Sequence, residues 1–350
     1  MTIAAVPATA TAGRVTVTST IQDAVDAAAP GDVVVVPPGR YHESVTVTKS
    51  DVTIRGSRGA VLDASGSAVG IRASSGPNGR GDDGFPACPE PRLHDLAIEG
   101  LTIEHASFSG VLFRGVTNFR ISGGVYAGGS YSIFPVCSHD GRIEHNQAGG
   151  TTDGAIYVGD SRNVAITDNV VKGATIGIEI ENSTNITVQD NLATANSSGI
   201  VAFVLPGLPI PRTEDVVIRR NVVSHNNLPN PIAPDAGAQG LIPTGTGILA
   251  SATDHVAIRS NRVVGNDSGG IALLASPLVA VDPRVDPAPD GNEIRDNVVL
   301  DNGRSPDPLR SPFPGADLIY DGSGSDNCFA RNRFRTEFPT GISGAFACLQ

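Results

Sequence analysis

The chain has 350 residues, 36 of them acidic and 25 basic, for a formal charge of −11. That balance gives no reason to expect nucleic acid or an anionic membrane surface as a partner, and no stretch approaches the apolar length of a membrane span. With 41 Gly and 5% aromatic residues the chain has no ordinary globular core; Val, Ile, Thr and Asn set a pattern of short strands and tight turns.

Residues 1–13 read as a flexible N-terminus without a full hydrophobic signal core. A remnant of a replaced signal peptide and an ordinary frayed terminus are both open. Residues 14–19 alternate as a first strand. Thr20 then opens a short helix, with Asp23 three residues on as in a capping box. Ile21, Val25 and Ala28 form its apolar face, and Pro30-Gly31 ends it. Such a helix would cover the open first coil of a stack.

Short strands follow in DVVVVPPGRYHESVTVTKSDVTIRGSRGAVLDAS, separated by PPG, KSD and SRG turns. Residues 75–92 are a loop rich in Gly, Pro and charge, because the strand pattern resumes at LAIEGLTIEHASFSGVLF. From about residue 140 one phrase repeats, with Asn146, Asn169 and Asn191 at the same point of each copy and spacings of 23 and 22. It returns at Asn221, Asn261, Asn297 and Asn332 with spacings of 30, 40, 36 and 35. Pro/Gly-rich insertions at 205–213, 226–245, 276–290 and 303–315 lengthen the later copies and carry no helix or strand pattern. A period in the low twenties marks a stacked-coil solenoid, read as one domain over 14–350. The recurring Asn is expected to be structural, a ladder of side-chain amides between coils.

Four cysteines allow three pairings. Cys328 and Cys348 share the last coil, where a bridge would pin the C-terminal end. Cys88 and Cys137 could form the other pair. The even count tilts toward an oxidising compartment, extracellular or periplasmic. No CxxC pair is present, which argues against a zinc knuckle.

The opening IQDAVDAAAPGDVVVVPPGRYHE resembles the start of many right-handed parallel β-helix proteins of the pectate-lyase-like superfamily. The Asn-marked coils look like the repeats of its carbohydrate-binding and sugar-hydrolase group, and the resemblance covers nearly the whole chain. It implies an all-β fold, a single-stranded right-handed parallel β-helix of about 10 coils with a short N-terminal capping helix. It also implies a polysaccharide or oligosaccharide partner, and a local basic patch could hold an acidic one. The superfamily includes lyases, hydrolases, esterases, epimerases and non-enzymes. Its alginate-epimerase members carry a Tyr-Gly-(Phe/Val)-Asp-Pro-His-type strand. The nearest match, Tyr131-Ser132-Ile133-Phe134-Pro135-Val136, keeps the Tyr and the Pro but lacks the Asp and the His.

Stacking the repeats sets a register. In the strand after each Gly, first and third positions such as Ile156 and Val158, or Ile178 and Ile180, point into the core. Second and fourth positions then point outward. The second column runs Leu112, Phe134, Tyr157, Glu179, Val201, Leu249, Ala272, Ile319, and the fourth runs Arg114, Val136, Gly159, Glu181, Phe203, Ser251, Leu274, Asp321. These columns are apolar on both sides of a small polar centre, and the large insertions flank them. Either the loops pack over Val201, Phe203, Leu249, Leu274 and Ile319 simply to cover them, or they wall a ligand groove centred on Tyr157, Glu179 and Glu181.

Glu179 and Glu181 lie two apart on one strand and face the same side, with Tyr157 roughly 5 Å from Glu179 in a regular stack. Asp153 and Asp160 bracket the Tyr157 strand, His139 and Asp140 follow the Phe134 strand, and Lys172 precedes Glu179. Arg114 is placed two coils below Glu181. Close carboxyls raise one another's pKa and divide acid and base roles. The expected catalytic residues are therefore Tyr157, Glu179, Glu181, His139, Asp153 and Lys172. Arg114, Phe134, Asp140, Asp160 and Phe203 are expected to bind substrate. Asp153 and Asp160 are hard oxygen donors that would suit Ca²⁺, but no regular calcium loop motif exists and no cofactor is expected.

These types suit a polysaccharide lyase or uronate epimerase on an acidic glycan, where a base removes the C5 proton and an acid or cation steadies the carboxylate. A glycoside hydrolase with paired carboxyls, a non-catalytic glycan-binding or structural β-helix, and an enzyme on a less polar small molecule are the alternatives. An open groove suits the first, loops filling the groove with unperturbed acids the non-catalytic option, and an enclosed apolar pocket the last.

Overall fold

A computed structural model describes residues 13–81 and 84–349. The expected flexible N-terminus, apart from Gly13, lies outside the described residues. Among these, three parallel sheets of 12, 10 and 11 strands run the length of the molecule. Each full coil adds one strand to each sheet, which makes a right-handed parallel β-helix. The inward positions stack as predicted. Ile156, Ile178, Ile200, Ile248, Ile271 and Leu318 form one continuous aliphatic row through successive strands. All are buried, because a parallel strand closed on itself offers its inner face only to its neighbours.

The coil corners need sharp turns, and the chain makes many of them with left-handed residues other than Gly. His145, Asp168, Asp190, Arg220, Ser260, Asp296 and Arg331 all have φ between 51° and 57°. Each stands immediately before one of the repeating Asn residues. The left-handed conformation is unfavourable for an L-residue, so something must hold it. The buried Asn does so. Asn191 Nδ2 donates to Asn221 Oδ1 at 3.0 Å and to Ile166 O at 2.9 Å. Asn191 Oδ1 accepts the backbone N–H and the amide of Asn169 at 2.9 and 3.0 Å. The same pattern runs from Asn146 to Asn332.

A second ladder, Asn196–Asn226–Asn266–Asn302, occupies the next corner and ends on Asp317. Its signal was a constant offset of five residues from the first. A third corner carries Ser138, Ser161, Ser183 and Thr213, each taking the backbone N–H of the one before.

The N-terminal helix spans Ile21–Ala27, with the Thr20 side chain accepting from the Asp23 N–H. Ile21, Ala24 and Val25 are buried over the first coil. Both anticipated cysteine pairs are disulfides, Cys88–Cys137 and Cys328–Cys348. The insertions hold more structure than their composition suggested. Residues 75–92 contain a small antiparallel hairpin, Gly79–Arg80 with Pro86–Ala87. Short 3₁₀ turns occupy Ala238–Leu241 and Pro277–Val281. Both turns follow Gly or Pro punctuation, which read as loop.

Replacing Asn191 by Ala removes two acceptor contacts and three donor contacts from a buried corner. Urea unfolding is expected to show a loss of about 2–4 kcal/mol. Lys172→Ala, on an exposed strand position, should change stability by less than about 0.5 kcal/mol.

Candidate functional site: a buried nest of carboxyls and tyrosines

Strands Gly154–Gly159 and Ile176–Glu181 are adjacent in the eleven-stranded sheet, in the register Tyr157↔Glu179 and Gly159↔Glu181. Alternation turns Tyr157, Glu179 and Glu181 away from the solenoid interior, as the sequence implied. The tyrosine hydroxyl, however, reaches past its direct partner. The ring lies along its own strand over Gly159, where a Cβ would stand 2.0 Å from the phenolic oxygen. Tyr157 Oη thereby donates to Glu181 Oε1 at 2.7 Å. Gly154 makes room in the same way, since a Cβ there would lie 2.7 Å from Glu179 Oε2.

Aromatic rings wall the other side. Phe134 stacks on Tyr157 with centroids 4.3 Å apart and planes 11° from parallel. Tyr131 packs at 5.2 Å from Tyr157, and its hydroxyl donates to Asp153 Oδ2 at 2.6 Å. Tyr131 had been noticed only as part of an incomplete motif; its place one coil before Asp153 was the signal that could have drawn it into the site. Glu179 is fully buried, and neither of its oxygens has a hydrogen-bond partner; Asp153 Oδ1 is in the same condition.

Burial dominates the electrostatics. Desolvation, reinforced by Asp153 and Glu181, raises the Glu179 carboxyl well above the ordinary range. Desolvation pushes Glu181 up to about 7, against the stabilising Tyr157 hydroxyl. Asp153 and Asp160 each rise to about 6, again through burial. Tyr131 and Tyr157 are raised by burial and by the neighbouring acids, which keeps their hydroxyls protonated. Two carboxyl–tyrosine pairs thus flank one acid, Glu179, that has no hydrogen-bond partner among the described residues.

The outward columns do not form an open groove. Leu112, Tyr157, Glu179, Val201, Leu249, Ala272 and Ile319 are all buried. In the C-terminal half the loops cover Val201, Phe203, Leu249 and Ile319, an apolar cluster against which Leu274 also packs, but they leave a cavity of about 240 Å³ over part of it. Beside the nest, at Asp160 and Asn182 just past its strand ends, three insertions interlock. Asn182 bonds Leu205 N and O and Ile210 O, and Asp160 Oδ1 accepts Ile210 N–H at 3.0 Å. Asp282 Oδ2 accepts Gly207 N–H at 2.8 Å, and Arg284 donates to Leu208 O at 2.9 Å. The Arg284 guanidinium also lies 3.5 Å from the Phe85 ring centroid. The Cys88–Cys137 bridge ties the loop that carries Phe85 to the wall.

The remaining expected residues lie apart. Lys172 ends a strand of the ten-stranded sheet and is exposed, because the corner at Gly173, φ 75°, separates its wall from that of Glu179. Asp140 is exposed, bonding His139 Nδ1 at 2.7 Å and Asn163 Nδ2 at 2.9 Å. His139 instead shares a hollow of about 370 Å³ with Asp160, Arg162 and the Cys88–Cys137 bridge. Arg114 is three strands from Glu181 rather than two, the intervening positions being Val136 and Gly159. Its guanidinium donates to Asn78 Oδ1 at 2.7 Å, and its charge acts on Asp160. Phe203 pairs directly with Glu181 on the next strand but packs in the apolar cluster.

These acids have folded pKa values above their unfolded ones. The folded state therefore holds extra protons once pH exceeds about 4, and stability falls as pH rises through about 6 and 7 and beyond. The melting temperature is expected to drop between about pH 5 and about pH 8. Glu179→Gln, a neutral isostere, should flatten that slope and melt higher than the parent at the upper pH. Equal slopes for the two proteins would show that Glu179 is not held neutral by burial.

The fold has clear structural relatives. The chain is similar to the A-modules of two Azotobacter vinelandii mannuronan C-5 epimerases. For AlgE6 the identity is 13% and the TM-score 0.63, covering 90% of this chain and 91% of that one. For AlgE4 the identity is 16% and the TM-score 0.61, covering 91% and 92%. It is also similar to DFA-IIIase from Arthrobacter chlorophenolicus A6 without its lid in complex with GF2, at 14% identity and TM-score 0.60, covering 93% and 92%. These likenesses concern the fold. No curated protein matches in sequence. Residues 94–305, more than half of the chain and including the whole nest, match the family described as periplasmic copper-binding protein (NosD), and the chain belongs to that family.

Proposed function

We propose that this protein is a carbohydrate-active enzyme whose nest of carboxyls and tyrosines supplies the general acid and base. The observation that carries the proposal is Glu179: a wholly buried carboxyl with no partner among the described residues, its pKa raised by burial, beside a second carboxyl pushed up to about 7. A stable fold gains nothing from such a group, which leaves two polar atoms unsatisfied. A general acid needs it. Sugar-acting proteins of the same fold, an epimerase acting on mannuronan among them, support the substrate class. Two disulfides support an extracellular or periplasmic setting.

Glycosidic-bond cleavage by a carboxyl pair suits the nest best. Glu179 donates its proton to the glycosidic oxygen as the C–O bond breaks. Glu181, poised by the Tyr157 hydroxyl, takes a proton from the attacking water. Among the described residues no Lys, Arg or His bonds Asp153, Glu179 or Glu181. Lyase or epimerase chemistry on an acidic glycan is the second option, with Tyr131 or Tyr157 as proton carriers and Glu179 facing the uronate carboxyl. In either case the buried nest must open for a sugar to enter.

The family description names copper. The four cysteines are bridged, and the single Met is residue 1, outside the described residues. The group of close donors that includes a His is Asp63, Glu104 and His105. Arg40 already bonds Asp63 at 2.6 Å and Glu104 at 2.5 Å. A guanidinium thus holds the place a cation would take, and these donors do not fit a resident copper ion.

A panel of neutral and uronate-containing oligosaccharides, with products resolved by mass and by absorbance of unsaturated uronate, tests the proposal. Cleavage with addition of water identifies a hydrolase, and an unsaturated product a lyase. Glu179→Gln should lower kcat by about 10²–10⁴ and Tyr157→Phe by less, with folding intact by circular dichroism. Turnover at the parental rate in Glu179→Gln would remove that residue from the mechanism.

A further inference from the structure

A separate cavity of about 240 Å³ opens on the same wall, toward the C-terminal end. Phe203, Leu249, Ala272 and Ile319 form its floor, and Leu278 and Phe313 of the insertions form its sides. A dry apolar cavity of roughly 150 Å³ already holds benzene, so this one exceeds a single ring. Arg310 is the charged residue among those lining it, and donors on all three of its nitrogens are engaged. They go to Asp307 Oδ2 at 3.1 Å, Gly240 O at 2.8 Å and Ile232 O at 2.8 Å. The Thr246 and Ser268 hydroxyls likewise donate to the carbonyls of Pro243 and Thr244. An anionic sugar finds no charge here, and a bare sugar finds few free hydrogen bonds.

The cavity lies one strand away from the nest. Phe203, its near wall, is the direct strand partner of Glu181. Leu241 and Leu278 stand at its mouth, 43% and 38% exposed. From them a second hollow passes to Leu205, Pro206 and Leu208, the strap beside the nest. A molecule seated in the cavity therefore lies against Phe203, one strand from Glu181, with the 205–213 strap on the far side of the second hollow.

We infer that the cavity binds the non-sugar part of the substrate, so that the enzyme acts on glycosides of a neutral apolar group larger than one ring, such as a fused aromatic or a branched aliphatic. This rests on the proposed glycosidic chemistry for the bond broken, but the cavity itself can be tested without turnover. An apolar group bound there also places the glycosidic oxygen of its conjugate toward the Phe203–Glu181 boundary. The apolar contacts supply affinity, and the nest supplies the proton.

The test titrates the full chain with the neutral fluorophore N-phenyl-1-naphthylamine. One saturable site is expected. Ala272→Phe fills the floor and should weaken binding at least tenfold. Leu278→Glu, at the exposed mouth, should weaken it too without disturbing packing, which a melting curve checks. Glu179→Gln should bind the probe as the parent does. A 2-naphthyl glycoside should displace the probe, and the corresponding methyl glycoside should not. Absence of probe binding, binding unchanged in both cavity variants, or no displacement by the naphthyl glycoside overturns the inference. Probe binding and displacement with no glycoside turned over would leave the cavity standing and defeat the proposed hydrolysis instead.

Discussion

The structure depends on buried amide ladders at the corners of the coils. A parallel β-helix must turn its backbone sharply three times per coil while every turn faces another turn above and below. At one corner the turn residue is left-handed and is seldom Gly, which alone would be unfavourable. The following Asn supplies what the turn lacks. Its amide donates to the preceding coil's strand carbonyl and to the next Asn, and its oxygen accepts from the coil before. Each rung therefore satisfies groups on both of its neighbours, so the rungs stabilise one another. Long insertions can interrupt the spacing, from 22 residues up to 40, without breaking the ladder, because the rung is local to the corner.

That rigid stack explains how the chain can tolerate the nest. Strand register is fixed to within one residue by the ladders and the aliphatic row, so Tyr157 is held over Gly159 and its hydroxyl meets Glu181. The nest inverts the economy of the rest of the molecule. Elsewhere among the described residues the buried side-chain polar atoms are paired except for the Tyr126 and Thr253 hydroxyls, whereas in the nest Glu179 keeps two oxygens and Asp153 one without partners. Burying these acids opposes folding at neutral pH, and the surrounding coils must offset it. A scaffold with long uninterrupted ladders can carry such a deficit in one place.

Much of the fold was legible because it is periodic. Asn146, Asn169 and Asn191 set the register, and alternation then assigned inward and outward sides correctly along the Tyr157 and Glu179 strands. The helix at Ile21–Ala27 and both cysteine pairs could be anticipated for local reasons, a capping side chain and shared coils. The site was legible only in part. Facing direction is a property of one strand, but exposure depends on what insertions do, and their Pro/Gly composition carries no periodic signal. Hence the expected groove is roofed. Lys172 failed for a different reason: seven residues separate it from Glu179, but a corner at Gly173 puts the two on different walls. Tyr131 was undervalued because its partner, Asp153, is one coil away and not adjacent in sequence.

The roof gives the nest and the apolar cavity a shared mechanical element. The 205–213 strap is held from beneath by Asn182 and Asp160, and from the side by Asp282 and Arg284. Asp160 is itself one of the raised acids, so its contact with the Ile210 N–H strengthens as it ionises, because a carboxylate accepts more strongly than a neutral carboxyl. Asp282 is the opposite case. Arg284 beside it holds its carboxyl well below the usual range, so that anchor persists across the pH span in which the nest titrates. The strap thus has permanent fastenings at Asn182 and at the Asp282–Arg284 pair, and one contact, at Asp160, that weakens on protonation. The loosening takes place next to Glu181, which gains its own proton in the same range.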